Sequence, residues 1–161
     1  MNVVYDCMIF LQAAARPDRG HGTMRLVREG RVTLCVSPEI VAELRDVLTR
    51  PEVQAKFPAL KPQHVDTFLN DVLSLSKMVA SVPEVFALPR DPKDEPYINL
   101  AIEAGASHLV TWNDRHLTYL MRNDTPEGRD FCQRFPGLKI VHPPDFIRQF
   151  TRQIENDQSA G

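Results

Sequence analysis

Short apolar runs alternate with longer amphipathic stretches along this chain, and their spacing predicts five strands interleaved with helices. Val3-Val4-Tyr5 is continuously apolar and stops at Asp6, as a buried central strand stops at its carboxyl edge. Ile9 to Ala15 has helical character. The turn-forming run Arg16-Pro17-Asp18-Arg19-Gly20-His21-Gly22 then intervenes, and a second helix over about Thr23 to Glu29 ends at Gly30. Val32 to Val36, rich in β-branched residues, predicts the second strand. Ser37-Pro38 supplies an N-cap and a first-turn proline for a helix that should run to about Arg50, before Pro51. Beyond a loop bracketed by Pro58 and Pro62, Val65, Phe68, Leu69, Val72, Leu73 and Leu75 mark a long amphipathic helix. Met78 to Ala80 reads as a short third strand.

Pro83, Pro89, Pro92 and Pro96 make Val82 to Pro96 an irregular surface connection. A helix over Tyr97 to Ala104 follows, stopped by Gly105. His108 to Thr111 and Leu138 to His142 are the fourth and fifth strands, with one or two short helices between them. Pro143-Pro144 opens a terminal helix near Asp145 to Phe150. Strands alternating with helices imply right-handed crossovers. The fold expected is α/β, a three-layer α/β/α sandwich around a mainly parallel five-stranded sheet. One domain should occupy residues 1–152, with a polar, frayed tail over 153–161.

A chain of 161 residues suits a single domain, and 43% hydrophobic with 25% charged residues is an ordinary globular composition. Cys7, Cys35 and Cys132 are far apart and lack a CxxC pair, which argues against a disulfide framework or a structural zinc site and for a reducing cytoplasm. No leader-like segment opens the sequence and no run approaches the roughly 18 apolar residues of a membrane span. A cytoplasmic protein without membrane insertion is expected. The formal net charge of −2 gives no global attraction for nucleic acid, so a polyanionic substrate must be held by local basic residues and bound cations. His21, His64, His108, His116 and His142 show no HExxH or HxH spacing and read as ordinary polar or half-buried residues.

Ligands of open parallel sheets bind beyond the carboxyl ends of the strands, which gives weight to three acids. Asp6 closes the first strand, where it can also cap a helix. On the helix after Ser37, the residues Ile40, Val41, Leu44, Val47 and Leu48 form an apolar stripe, and Glu43 lies roughly 40° from Val47 at its rim. Glu39 and Asp46 point further toward solvent. Asp94 stands at the head of the next helix, with Asp91 and Glu95 as close competitors. Converging carboxylates repel one another unless a cation neutralises them, and oxygen ligands without Cys or His favour Mg²⁺ or Mn²⁺.

Val3-Val4-Tyr5-Asp6-Cys7-Met8, Ser37-Pro38-Glu39-Ile40-Val41-Ala42-Glu43-Leu44, Arg90-Asp91-Pro92-Lys93-Asp94-Glu95 and the stretch from Ala101 through Thr111-Trp112-Asn113-Asp114-Arg115-His116-Leu117 together resemble the PIN-domain family over residues 2–150. The resemblance looks closest to bacterial VapC-type toxins of toxin–antitoxin pairs. It implies a metal-dependent endoribonuclease that hydrolyses RNA phosphodiester bonds, often a homodimer, inhibited by a cognate antitoxin protein. Carried over position by position, it makes Asp6, Glu43, Asp94 and Asn113 both the catalytic residues and the ligands of Mg²⁺ or Mn²⁺. Met8 departs from the family's common Asp-x-Asn opening, and Asn113 stands where many members have Asp. The alternative is a PIN module of weak or no activity that binds RNA or a protein partner. A haloacid-dehalogenase-like phosphatase would need an acid at position 8, and a receiver-type phosphoacceptor would need adjacent acids after the first strand; neither is present.

Arg16, Arg19, Arg45 and Arg115 are the candidate phosphate contacts around the same edge. Because neighbouring side chains on an extended segment point to opposite faces, Asn113 and Asp114 cannot both face the metal. The resemblance places Asn113 inward, with its carbonyl oxygen available, and leaves Asp114 as a cap of the next helix.

Overall fold

The computed structural model describes residues 1–17 and 22–160, the side chains of 153–155 and 157 excepted. The apolar runs become β1 (Asn2–Tyr5), β2 (Thr33–Val36), β3 (Lys77–Met78), β4 (His108–Val110) and β5 (Lys139–Val141). They form one sheet in the order β3-β2-β1-β4-β5, and every pairing is parallel. Val3 lies opposite both Leu34 and His108, which fixes β1 as the central strand.

Alternate residues of these strands feed two separate cores. Val3, Tyr5, Leu34, Val36 and Val110 enter one, and Val4, Cys35, Leu109 and Ile140 enter the other. Burial on both faces explains why the strands read as unbroken apolar runs. The helices are α1 (Cys7–Ala15), α2 (Gly22–Arg28), α3 (Pro38–Thr49), α4 (Pro51–Lys56), α5 (Pro62–Leu75), α6 (Glu95–Glu103), α7 (Pro126–Arg134) and α8 (Pro143–Ser159), with a 3₁₀ turn over Thr118–Met121. The first core is closed by α1, α2, α5 and α8, and the second by α6, the 3₁₀ turn and α7. Straddling both is α3, with Leu44 and Leu48 in the first and Ile40 in the second. The architecture is α/β/α.

Local chemistry sets the element ends. Ser37 Oγ accepts the Ile40 amide at 3.2 Å ahead of Pro38, as its sequence position predicts. Gly30 and Gly105 take φ of 69° and 58°, the left-handed conformation that ends a helix without a Cβ clash. Three elements differ from expectation. The helix after Ser37 ends before Pro51 as expected, but Pro51 then opens the unexpected α4, because proline is as well suited to a first turn as to a stop. The third strand is shortened and displaced to Lys77–Met78. The terminal helix continues past Phe150 to Ser159, through residues read as a frayed tail.

The proline-rich connection before α6 is irregular but not wholly superficial, since Phe86 and Leu88 are buried in the second core. Their backbone is satisfied from α6. Asn99, 3% exposed, accepts the amides of Val85 and Phe86 at 2.9 and 2.8 Å through Oδ1 and donates through Nδ2 to Phe86 O and Glu95 O. The Leu88 amide donates to Glu95 Oε1 at 2.8 Å. This clasp fixes the segment leading to Asp94. Asn99→Ala strands several buried polar groups, and we expect it to lower stability by about 2–4 kcal/mol in urea unfolding.

Candidate metal centre

The strand order places a reversal beside β1: the chain leaves through β2 and β3 on one side and returns through β4 and β5 on the other. A crevice opens beyond the carboxyl ends at such a reversal. Asp6, the first residue past β1, is held there on three sides. Its backbone N–H donates to Val110 O at 3.1 Å, its Oδ1 accepts the Ile9 amide at 3.2 Å as the N-cap of α1, and its Oδ2 accepts a short hydrogen bond from Thr111 Oγ1. The carboxyl group is buried. Loss of water raises its pKa, while the Thr111 hydroxyl and the amides at the start of α1 pull in the opposite direction.

Thr111 also links the other side of the crevice. Its Oγ1 accepts the Asn113 amide at 2.9 Å, and Asn113 Nδ2 donates to Asp94 Oδ2 at 2.7 Å. Asp94 is the N-cap residue of α6 but makes no side-chain capping bond, so its carboxylate is turned to the crevice rather than to the helix. Burial first, then the negative charges of Asp91 and Asp6, push the Asp94 carboxyl up to about 6. That repulsion places Asp6 and Asp94 in one electrostatic site.

Glu43 reaches the same place from the rim of the α3 stripe. Its Oε2 accepts the hydroxyl of the buried Tyr97 at 2.6 Å, one turn into α6 from Asp94. Between Asp6 and Glu43 lies Cys7, whose thiol is pushed up to about 12 by burial and then by the charges of Glu43 and Asp6. Cys7 is therefore a poor nucleophile. Among the described residues no lysine or arginine ion-pairs with Asp6, Glu43 or Asp94. Neutral donors orient these acids, and their charge is left for a cation. A hard divalent ion such as Mg²⁺ or Mn²⁺ fits that oxygen-rich donor set.

Asp6, Glu43, Asp94 and Asn113 are thus brought together, but Asn113 turns the other way from expectation. Its amide nitrogen faces Asp94, and its Oδ1 accepts the His116 amide at 3.1 Å, so it is Asn113 that holds the following turn. Asp114 makes no such cap. It accepts from Thr118 Oγ1 at 2.8 Å and hydrogen-bonds His142 Nε2 at 2.5 Å. Of the four arginines, Arg115 has no ion pair among the described residues, Arg16 is exposed after α1, and Arg45 is engaged with Asp66 at 3.0 Å. Arg19 lies outside the described residues.

Three further residues, Thr111, Tyr97 and His116, were not singled out as site residues by sequence, and Asp91 stood only as a competitor of Asp94. Thr111 and Tyr97 are the donors to Asp6 and Glu43. Asp91 and His116 share a hydrogen bond of 2.8 Å, and their ligand atoms and one of Asp94 lie within 4.8 Å of one another. A tyrosine inside an apolar helix stripe was the available signal for Tyr97, since a buried phenol needs a partner.

A search of solved structures returned VapBC2 from Rickettsia felis bound to a DNA fragment from their promoter, with a TM-score of 0.54 and 16% sequence identity over 88% of this chain and 98% of that one. That likeness shows the fold. No curated protein matches the sequence. The family model described as PIN domain matches residues 2–115, from β1 through Asn113 and beyond. The chain belongs to the PIN-domain family.

Proposed function

We propose that the chain is an Mg²⁺- or Mn²⁺-dependent endoribonuclease and the toxin of a toxin–antitoxin pair. What supports this reading is that Asp6 acts electrostatically on Asp94, that Asp6 and Glu43 both act on Cys7, and that the three acids are oriented by Thr111, Tyr97 and Asn113 with no lysine or arginine ion-paired to them among the described residues. Membership of a family whose members are generally nucleases supports hydrolysis, and the shared fold with a VapBC protein supports a cognate antitoxin as partner. A divalent ion bound there polarises a phosphoryl oxygen and lowers the pKa of water. Asp6, Glu43 and Asp94 would hold it. Tyr97 fixes one oxygen of Glu43 and leaves the other to face the crevice, whereas both oxygens of Asp6 are oriented, Oδ1 by the Ile9 amide and Oδ2 by Thr111, and a metal would take a remaining lone pair. The Met8 side chain is 48% exposed, and Asp6 is held without it, by the Thr111 hydroxyl and by backbone amides that include those of Ile9 and Met8.

Asp6→Asn, Glu43→Gln and Asp94→Asn each remove a charge while keeping the shape. Each should lower Mn²⁺-dependent cleavage of RNA by more than about 100-fold, and Tyr97→Phe, which removes only an outer partner, should weaken Mn²⁺ binding by about 10–100-fold in calorimetry. Folded variants that all cleave at the wild-type rate refute the site. RNA binding without cleavage at any metal concentration would instead identify an inert binding module.

In EDTA, Asp94 makes stability depend on pH. Its folded pKa of about 6 lies above the unfolded 3.8. Below pH 4 both states hold the proton. Between about pH 4 and 6 the unfolded chain releases it more readily, so stability falls as pH rises and then levels off. Asp94→Asn should flatten this slope and raise the metal-free Tm at pH 7, whereas added Mn²⁺ should raise the Tm of the wild type more than that of the variant.

A further inference from the structure

The acids of the crevice repel RNA in the absence of a cation, and most described arginines are spent elsewhere. Arg25, Arg28, Arg45, Arg50, Arg122, Arg134 and Arg148 all pair with carboxylates. Arg90 and Arg115 have no ion pair among the described residues, and both line a cleft of about 490 Å³ that also includes His116 and Tyr119. That volume lies in the range of small-ligand pockets. Arg90 is pre-positioned: its guanidinium sits 4.7 Å from the centre of the Tyr119 ring, a cation–π contact that leaves its N–H edges free for an anion. The cleft adjoins the crevice, because His116 on its wall bonds Asp91, whose charge acts on Asp94. Asp114 also lines it, with its carboxylate hydrogen-bonded to His142 and Thr118.

Trp112, the chain's single tryptophan, stands between the two residues that bond Asp6 and Asp94 and is 43% exposed. Its orientation is set by Nε1 donating to Gln12 Oε1 at 3.0 Å and by His142, stacked at 5.8 Å with 27° between planes. The indole lines a pocket with Ile9, Gln12, Pro143 and Ile147 on one side, and the rest of its aromatic surface is open beyond the carboxyl ends of the strands. It has the form of a stacking platform for a nucleobase. Through His142 and Asp114 the platform is connected to the Arg90–Arg115 cleft.

We propose that Trp112 stacks one nucleobase of the RNA beside the carboxylates while Arg90, braced on Tyr119, and Arg115 take a neighbouring phosphate. The proposal deepens the nuclease reading and rests on it. Stacking needs an unpaired base, so this subsite accepts unpaired nucleotides and excludes duplex.

The test uses the full chain with Asp94→Asn, which prevents turnover, and a short RNA oligonucleotide titrated while Trp112 emission is followed. The oligonucleotide should quench that emission, and the same sequence annealed into a duplex should not. In this background Trp112→Ala, followed by fluorescence polarisation of a labelled oligonucleotide, should weaken binding by roughly 5- to 150-fold, the usual worth of a base–aromatic stack, with Trp112→Phe restoring much of it. Arg90→Ala combined with Arg115→Ala should reduce the slope of log affinity against log salt by about 0.7, or one neutralised phosphate on a single strand. Unmoved Trp112 emission on RNA binding, equal quenching by duplex, or an unchanged salt slope overturns the proposal. A purified antitoxin that quenches Trp112 while RNA does not would make it a protein contact and overturns it too. The nuclease reading is tested separately, by wild-type hydrolysis of bis(4-nitrophenyl) phosphate with Mn²⁺: its failure alongside RNA quenching leaves the subsite and removes the enzyme.

Discussion

Burying a carboxylate at the end of the central strand is the constraint around which this structure is arranged. Asp6 is removed from water and has no cationic partner among the described residues, a position that is costly unless the available donors are recruited. The start of α1 supplies an amide and the residue after β4 supplies the Thr111 hydroxyl. Thr111 is thereby committed, and its oxygen in turn fixes Asn113, which fixes Asp94. A chain of neutral donors thus runs from the first strand to the head of α6. Neutral donors matter here, because an arginine in the same place would satisfy the acids and leave nothing for a metal.

The same logic explains why α6 carries so many polar residues on an otherwise buried helix. Tyr97 serves Glu43, Asn99 and Glu95 tie down the connection that delivers Asp94, and Ile98, Leu100 and Ala101 fill the second core. Position and chemistry are set by one helix. Disturbing its packing would displace Asp94 and the partner of Glu43 together.

The sheet was legible because strands buried on both faces leave unbroken apolar runs, and Asp6 was legible because it interrupts one. Glu43 followed from its angle to an apolar stripe. What escaped were contacts made through space. Thr111 and Tyr97 look like ordinary strand and helix residues until their partners, 105 and 54 positions away, are in place. His116 escaped because histidine motifs are recognised by spacing, whereas its partner Asp91 sits on a separate loop. Asp114 was misread and α4 was missed for a different reason: a carboxylate after a strand resembles a cap, and a proline after a helix hides the next first turn, until the neighbouring backbone is known. The two-residue β3 carries too little sequence to fix its limits.

The separation between Asp6 and Thr111 also orders events during synthesis. The hydroxyl that orients Asp6 leaves the ribosome 105 residues after it, later than Glu43 and Asp94. Until β4 docks against β1, the acids belong to segments with no shared surface, and parallel pairing over such sequence distances is slow. A growing chain therefore carries scattered carboxylates rather than an assembled centre. The order of the polypeptide acts as a timer, holding back assembly of the carboxylate centre until β4 and Thr111 have been made.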